Sequence, residues 1–174
     1  GYTQGVAAEW YDKQFAIRLG SFKMPTVANG PKLAGDLTHN HGDQIEVETH
    51  PGIITGQKAS LRTLLYRNFA NMGDYRTSIA TGLANSKTPD ITDSRHSGAV
   101  KYGYVLNAEQ PLAENGAQGL FLRYGWNDGH SEDFAYTEAD RAISFGAQWS
   151  GKRLGYADDR IGIAIVQNDL SAPH

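Results

Sequence analysis

The chain contains 174 residues, of which 16 are basic and 19 are acidic, and its formal net charge is −3. Charges of both signs are scattered along it, so no basic stripe is available to hold a nucleic-acid backbone, and no nucleic-acid partner is expected. Cysteine is absent, which excludes disulfides, thiolate metal sites and cysteine nucleophiles.

Alternation of apolar and polar side chains at every second residue predicts β-strands over most of the chain. Between residues 118 and 127, for example, Leu120 and Leu122 alternate with Phe121 and Arg123. No stretch approaches the roughly 18 uncharged apolar residues that a membrane-spanning helix requires. The alternation predicts eight strands, at about residues 3–11, 14–22, 44–50, 58–68, 98–111, 118–127, 136–150 and 159–168.

Short and long connections alternate between these strands, as they do in transmembrane β-barrels. The predicted short turns are at 12–13, 51–56, 114–116 and 150–158, and the predicted long loops are at 23–43, 69–97 and 128–135. Residues 25–42 are rich in turn formers and predict an irregular loop. In the second long loop, Tyr75, Ile79 and Leu83 follow one another at four-residue spacing after Asp74, a competent N-cap, which predicts a short loop helix.

The strand pattern fits two all-β architectures. In a soluble sandwich the apolar faces share a dry core, whereas in a membrane barrel they face lipid. Two observations favour the barrel: several strands exceed the usual 5 or 6 residues, and aromatic residues lie towards strand ends, as interfacial girdles require. Glycines on the polar parity would leave room in a lumen, although glycine also marks bulges in any curved sheet. These aromatic residues are Trp10, Tyr11, Phe22, Trp126 and Trp149, and the glycines are Gly20, Gly103, Gly125, Gly146 and Gly162.

Longer ordered runs of residues resemble the carbohydrate-selective porin family of Gram-negative bacteria, often called OprB-type. The resemblance is carried by Tyr102 through Leu112, Gly119 through Gly129, and Glu132 through Arg141. It continues in Asp158 through Ser171, in Trp10 through Phe22, and in Asn71-Met72-Gly73-Asp74-Tyr75. It therefore covers nearly the whole chain.

This resemblance implies a sixteen-stranded antiparallel barrel in the bacterial outer membrane, which passively admits glucose and related sugars without a cofactor. About eight strands are present, so we expect residues 1–174 to be one partial barrel domain, an internal segment of a longer porin chain. An open half-barrel would expose unpaired strand edges to lipid. The expected partners are monosaccharides or small oligosaccharides and outer-membrane lipid, and association into a homo-oligomer is left open.

Charged and amide side chains on the polar parity are the candidates for contact with sugar hydroxyls in a water-filled lumen. Arg18, Arg123 and Glu138 are predicted to lie deepest within their strands, near a constriction. For any one of these side chains the alternative is a charge that is merely solvated by lumen water. The full set is Arg18, Glu46, Glu48, Lys101, Asn107, Arg123, Glu138, Asp140 and Arg160.

Aromatic side chains could stack on sugar rings, but in barrels they more often pack or anchor. The candidates for stacking are Tyr66, Phe121 and Tyr136, whereas Trp126 and Trp149 fall on the lipid parity. The facing of Arg62 and Arg67 is unresolved, because apolar residues occupy both parities of their strand.

Two further functions are weighed against a channel. Paired carboxylates, either Glu46 with Glu48 or Glu138 with Asp140, could stand about 5 to 9.5 Å apart, as in glycoside hydrolases. The same spacing arises wherever two acids line one wall, so an enzyme is not expected. The six histidines lack metal-ligand spacing, so no metal site is expected either. A soluble carbohydrate-binding β-sandwich remains the main alternative.

Overall fold

The computed structural model describes residues 3–54, 56–113, 117–135, 137–156 and 158–174. Within these ranges the chain forms one antiparallel sheet of eight strands that neighbour one another in sequence order. The sheet is not closed, since β1 and β8 are its two edges. The strands are β1 Gly5–Tyr11, β2 Phe15–Lys23, β3 His41–Thr49, β4 Ser60–Met72, β5 His96–Pro111, β6 Gln118–Asn127, β7 Arg141–Ser150 and β8 Arg160–Asp169, and the helix α1 is Tyr75–Ala84. This confirms the all-β prediction of eight strands and one loop helix.

The pairing register divides the side chains of the sheet into two faces. Arg18 is opposite Glu46, Glu48 is opposite Arg62, and the series continues to Asn107 and Arg123 on β5 and β6. Directly opposed residues share a face, so these side chains define what we call the polar face. The other side of the sheet, which we call the apolar face, carries Ile17, Leu19, Ile45, Val47, Leu65, Leu106, Leu122, Phe145 and Ile163.

The apolar face is uncovered. Ile163 is 64% exposed and Phe145 is 51% exposed, and most other large aliphatic residues on this face are exposed as well. In a soluble sandwich these rows would be packed against a second sheet, and the described residues form only one. The described residues therefore do not form a sandwich, and the uncovered rows have the character of a lipid-facing surface.

The connections alternate in length as predicted. Residues 12–14, 50–59, 112–117 and 151–159 connect strands at one edge, here called the short-turn rim. Residues 24–40, 73–95 and 128–140 connect strands at the opposite edge, the long-loop rim. The predicted turn at 114–116 lies outside the described residues.

The predicted start of β7 is wrong, and this error affects two candidate site residues. Strand β7 begins at Arg141 rather than at 136, so Glu138 and Asp140 belong to the preceding connection. A turn interrupts the alternation there: the Phe134 N–H group donates to Thr137 Oγ1 at 3.0 Å, and Ala135 has a φ of 58°. A left-handed conformation at a residue with a Cβ atom is incompatible with an extended strand.

Helix α1 begins where it was predicted, because the Asp74 side chain accepts a hydrogen bond from the Thr77 N–H group at 2.7 Å. Its buried residues are Ser78 and Gly82, whereas Leu83 is 72% exposed. A Cβ atom on Gly82 would lie only 2.8 Å from Pro89. The helix therefore lies against the chain that follows it through the small residues Ser78 and Gly82, and not through the predicted row of Tyr75, Ile79 and Leu83.

Candidate functional site

A network of arginine and glutamate side chains crosses the polar face of the first three strands. Arg18 on β2 donates through Nε to Glu9 on β1 at 2.7 Å. Its Nη1 donates to Glu46 and to Glu48 on β3, each at 2.7 Å. One guanidinium therefore holds three carboxylates from the two neighbouring strands, which fits the fork of donors that arginine presents.

Glu48 extends this network to the next two strands. Its Oε1 accepts a hydrogen bond from Ser60 at 2.8 Å and lies 3.1 Å from Arg62 Nη2. Arg62 in turn reaches Glu109 on β5 at 3.3 Å. The side chain of Glu48 is 7% exposed, whereas that of Arg18 is 38% exposed. Charges of alternating sign thus run from β1 to β5, and we call Glu9, Arg18, Glu46, Glu48, Arg62 and Glu109 the charge ladder.

Arg123 lies beyond the charge ladder on β6 and has different surroundings. It is opposite Asn107, it is exposed, and its guanidinium lies 5.4 Å from the centre of the Phe121 ring. No ion pair of Arg123 is found among the residues that the structure describes. The Oδ1 atom of Asn107 is buried and has no hydrogen-bond partner there either. The guanidinium donors of Arg123 are thus open to solvent, whereas the Asn107 oxygen is not accessible.

Two aromatic rings on the polar face lie over glycines of the neighbouring strand. A Cβ atom on Gly146 would lie 2.6 Å from Phe121 Cε1, and one on Gly103 would lie 2.5 Å from the Tyr66 hydroxyl oxygen. The glycines of the polar parity therefore make room for rings at these two positions. A cavity of about 450 Å³ adjoins the first ring and is lined by Glu109, Phe121, Arg123, Gln148 and Gly162.

The structure separates Lys101, Arg160 and Asp140 from this open region, whereas Glu138 adjoins it. Lys101 is on the polar face but is fully buried, and its Nζ donates to the Ser131 carbonyl oxygen at 2.9 Å. Arg160 is exposed at the short-turn end of β8, opposite Ser150. Glu138 is exposed and lines one cavity, of about 470 Å³, together with Arg123.

Asp140 is the third of these residues, and it is buried in the connection before β7. Its Oδ2 accepts a hydrogen bond from the Ser171 N–H group at 2.7 Å and lies 3.0 Å from His174 Nδ1. Burial acts to raise the pKa of Asp140, but the hydrogen bonds from Ser171 and His174 outweigh it and hold the pKa below its ordinary value. Asp140 is therefore a structural anion in this fold.

Some members of the site were missed by the sequence analysis. Glu9 lies on the same face of β1 as Ala7, and Glu109 lies on the same face of β5 as Lys101. Both could have been found by extending the alternation along their strands. The alternation could not place Arg62, because the apolar residue Leu64 lies on the same face. Only the pairing of Arg62 with Glu48 shows that Arg62 is on the polar face. Arg67 is on the apolar face. Tyr136, a predicted stacking residue, lies outside the described residues.

The arrangement does not resemble a hydrolytic site. Glu46 and Glu48 both bind the guanidinium of Arg18, so they do not flank an open gap in which a glycosidic bond could lie. Within the described ranges, no three His, Cys, Asp or Glu side chains are grouped as metal ligands would be. No helix among the described residues is long and apolar enough to cross a bilayer.

Comparison with known proteins gives one match. Residues 3–174 match the family model described as "Carbohydrate-selective porin, OprB family". No curated protein and no solved structure matches the chain. The match confirms the resemblance found in the sequence, and the family is one of channels that admit carbohydrates across the bacterial outer membrane rather than a family of enzymes. With its whole described sheet inside the matched range, this chain belongs to the carbohydrate-selective porin (OprB) family.

Proposed function

We propose that the polar face of the sheet lines a water-filled passage through which glucose and related sugars diffuse passively. The observation that carries this proposal is the contrast between the faces: the apolar rows are uncovered, and the charge ladder and Arg123 lie on the opposite side. A barrel wall in lipid has this arrangement, with apolar side chains outward and polar side chains towards the lumen.

The residues of the polar face suit an uncharged, hydroxyl-rich solute. Guanidinium groups donate and carboxylates accept hydrogen bonds, so the charge ladder offers both to a passing sugar. Its members already bind one another, which keeps them in place, and its two arginines offset part of the charge of its four glutamates. We assign the closest sugar contacts to Arg123 and Phe121, because the exposed guanidinium of Arg123 has no carboxylate partner among the described residues and Phe121 offers a ring for stacking.

The proposal includes the parts of the wall that this sheet does not supply. Each unpaired backbone group at an edge strand costs several kcal/mol in lipid, so β1 and β8 should pair with further strands. We propose that these belong to the same longer polypeptide, in which the strands of residues 1–174 form part of a sixteen-stranded barrel. Outer-membrane lipid would then cover the apolar face, with Trp126 and Trp149 near its borders.

The test is a measurement of sugar passage by the complete porin. Purified protein in planar bilayers should show ion conductance that falls reversibly as glucose is added, and proteoliposomes should swell faster in glucose than in a larger polysaccharide. Heat-denatured protein is the control. Conductance that does not respond to any sugar, or release of hydrolysed product from an oligosaccharide, would show that the proposal is wrong.

A further inference from the structure

The apolar face of the described strands carries charged side chains at one end only. Towards the short-turn rim its outermost residues are uncharged and include Phe15, Leu61 and Trp149. Towards the long-loop rim the same rows carry Lys23, Asp43, Arg67, Arg141 and Asp169. A charge on the lipid side of a barrel is costly at the middle of a bilayer and tolerated near its interface, so these side chains mark the level of the lipid headgroups.

Aromatic side chains lie next to these charges on the apolar face. The ring centroids of Tyr102 and Trp126 are 5.8 Å apart, and Tyr104 stacks on Trp126 at 5.6 Å. Trp126 is directly opposite Arg141. Rings with an apolar body and a polar tip collect where hydrocarbon meets headgroups. Arg141 therefore lies at that border, on the side of the membrane to which the long loops of such barrels extend.

A cavity of about 520 Å³ adjoins Arg141 at the long-loop rim. Its other lining residues come from beyond the strand ends and include Arg76 of α1, His130 and Ser171. Because Arg141 is on the apolar face, one side of the cavity meets the surface that we assign to lipid. A ligand in this cavity could therefore extend onto the apolar rows.

The arginines of this cavity are available to a ligand, whereas its carboxylates are engaged. Arg76 and Arg141 are exposed, and neither forms an ion pair with another residue in the described ranges. The Asp74 side chain caps α1, and Asp128 lies 3.6 Å from the buried Nζ of Lys101. The cavity thus offers two guanidinium groups to an anion.

Arg67 is on the same face and at the same rim, but its surroundings differ. Its Nη2 lies 3.7 Å from Asp43 Oδ2, its guanidinium lies 4.7 Å from the centre of the Phe69 ring, and it is not among the residues that line the cavity. Asp169 is opposite Arg141 but forms no ion pair with it. Arg141 therefore combines an unpaired charge with an adjoining cavity, and Arg67 does not.

From this geometry we propose that the cavity binds the phosphate group of an outer-leaflet lipid through Arg76 and Arg141. Guanidinium groups bind phosphate through paired, charge-assisted hydrogen bonds. The acyl chains of the same lipid would lie along the apolar rows that continue from Arg141, where Ile143 and Ile165 are exposed. A free phosphate ion would leave these rows uncovered, so the lipid is the ligand that fits both features. This inference rests on the proposed function, because it assumes that lipid covers the apolar face.

The test measures lipid binding by the complete porin in detergent. Diphosphoryl lipid A is the probe, and dephosphorylated lipid A is the matched ligand without phosphate. Native mass spectrometry should show that the wild type binds the phosphorylated form about tenfold more tightly or better, since each hydrogen bond to a charged group adds to affinity. Arg76→Gln combined with Arg141→Gln should abolish this preference. Arg67→Gln is the matched control and should keep it.

Two further measurements separate a lipid site from damage and from a general anion site. Arg141→Lys keeps the charge but loses the paired hydrogen bonds, so it should reduce the preference while the guanidinium unfolding midpoint without lipid stays that of the wild type. Inorganic phosphate in excess should not displace bound lipid A. Displacement by inorganic phosphate as readily as by free lipid A would show that the site takes any phosphate, and it would overturn the lipid assignment.

The outcomes of the two proposals can be told apart. A wild-type porin whose conductance responds to glucose, but which binds both forms of lipid A equally well, would overturn only the lipid site. The same holds if the double variant keeps the preference of the wild type. A porin that prefers phosphorylated lipid A but does not respond to any sugar would overturn the proposed passage and leave the lipid site in place.

Discussion

The two ends of the polar face differ although one alternation pattern runs through both. Towards the long-loop rim the connection between β6 and β7 covers the face through the buried side chain of Phe134, and Lys101 is buried there with Asp128 and Asp140. Over the rest of the face, Arg18 and Arg123 keep partial or full contact with solvent. The residue types are similar, but a lysine at the covered end acts as structural support, whereas an arginine at the open end is available to a solute. The face on which a side chain lies follows from its place in the alternation of its strand. Its burial depends on whether a connection between strands covers it.

The largest expected difference between the two ends is in stability. Phe134 is buried in a cluster with Met24, Ala70, Met72 and Ala99, so Phe134→Ala should lower the free energy of unfolding by about 3–5 kcal/mol. Phe121 is only partly buried over Gly146, so Phe121→Ala should lower it by about 1 kcal/mol. Guanidinium titration in detergent, followed by tryptophan fluorescence, measures both. Equal losses in the two variants would remove the distinction between a packed end and an open end.

Much of this arrangement could be predicted from residues alone. Strand β6 has the predicted bounds, and parity placed Arg18, Glu46, Glu48, Asn107 and Arg123 on one face before the register was known. These successes share a cause, since a strand with one apolar side allows only one facing for its polar side chains.

What could not be predicted depends on contacts between distant residues. The burial of Lys101 depends on the connection between β6 and β7, whose Ser131 lies 30 positions later in the chain. The start of β7 was missed because Phe134 and Thr137 form a turn through a side-chain hydroxyl. Nothing in the pattern of apolar and polar residues signals either contact.

A smaller effect is expected at the open end, and it should alter sugar binding without altering stability. Arg123→Ala removes donors that the described protein does not pair with a carboxylate. Because a hydrogen bond to a charged group contributes about 1.5–3 kcal/mol, sugar affinity should fall on the order of tenfold or more. Bulk ion conductance should change little. The measurement is the glucose concentration that half-blocks single-channel current.

Arg67→Ala is the matched control for this variant, since Arg67 is an exposed arginine on the apolar face. It should leave the half-blocking concentration unchanged. If Arg123→Ala also leaves it unchanged, Arg123 does not belong to the sugar path, and the open end of the face has another use.

The smallest effect concerns pH and acts at the covered end. The pKa of Asp140 is raised by burial but is held below its ordinary value by the hydrogen bonds from Ser171 and His174. A carboxylate whose pKa is depressed in the folded state contributes stability above its unfolded pKa of about 3.9, and that contribution is lost as the pH falls through the folded pKa. Lys101 and His174 lie against the same carboxylate, and Asp128 lies against Lys101. The free energy of unfolding should therefore stay nearly constant from neutral pH to about pH 5 and fall below about pH 4.

Asp140→Asn tests the origin of this pH step, because it imitates the protonated side chain at every pH. The variant should show a lower free energy of unfolding already at neutral pH and a smaller loss on acidification, both measured by guanidinium titration in detergent. Asp93→Asn, at an exposed position on the same rim, should behave as the wild type does. The effect is modest because Asp128 still faces Lys101 when Asp140 has lost its charge. A full pH step in Asp140→Asn would place the responsible carboxylate elsewhere and would make the covered end less dependent on this cluster than its burial indicates.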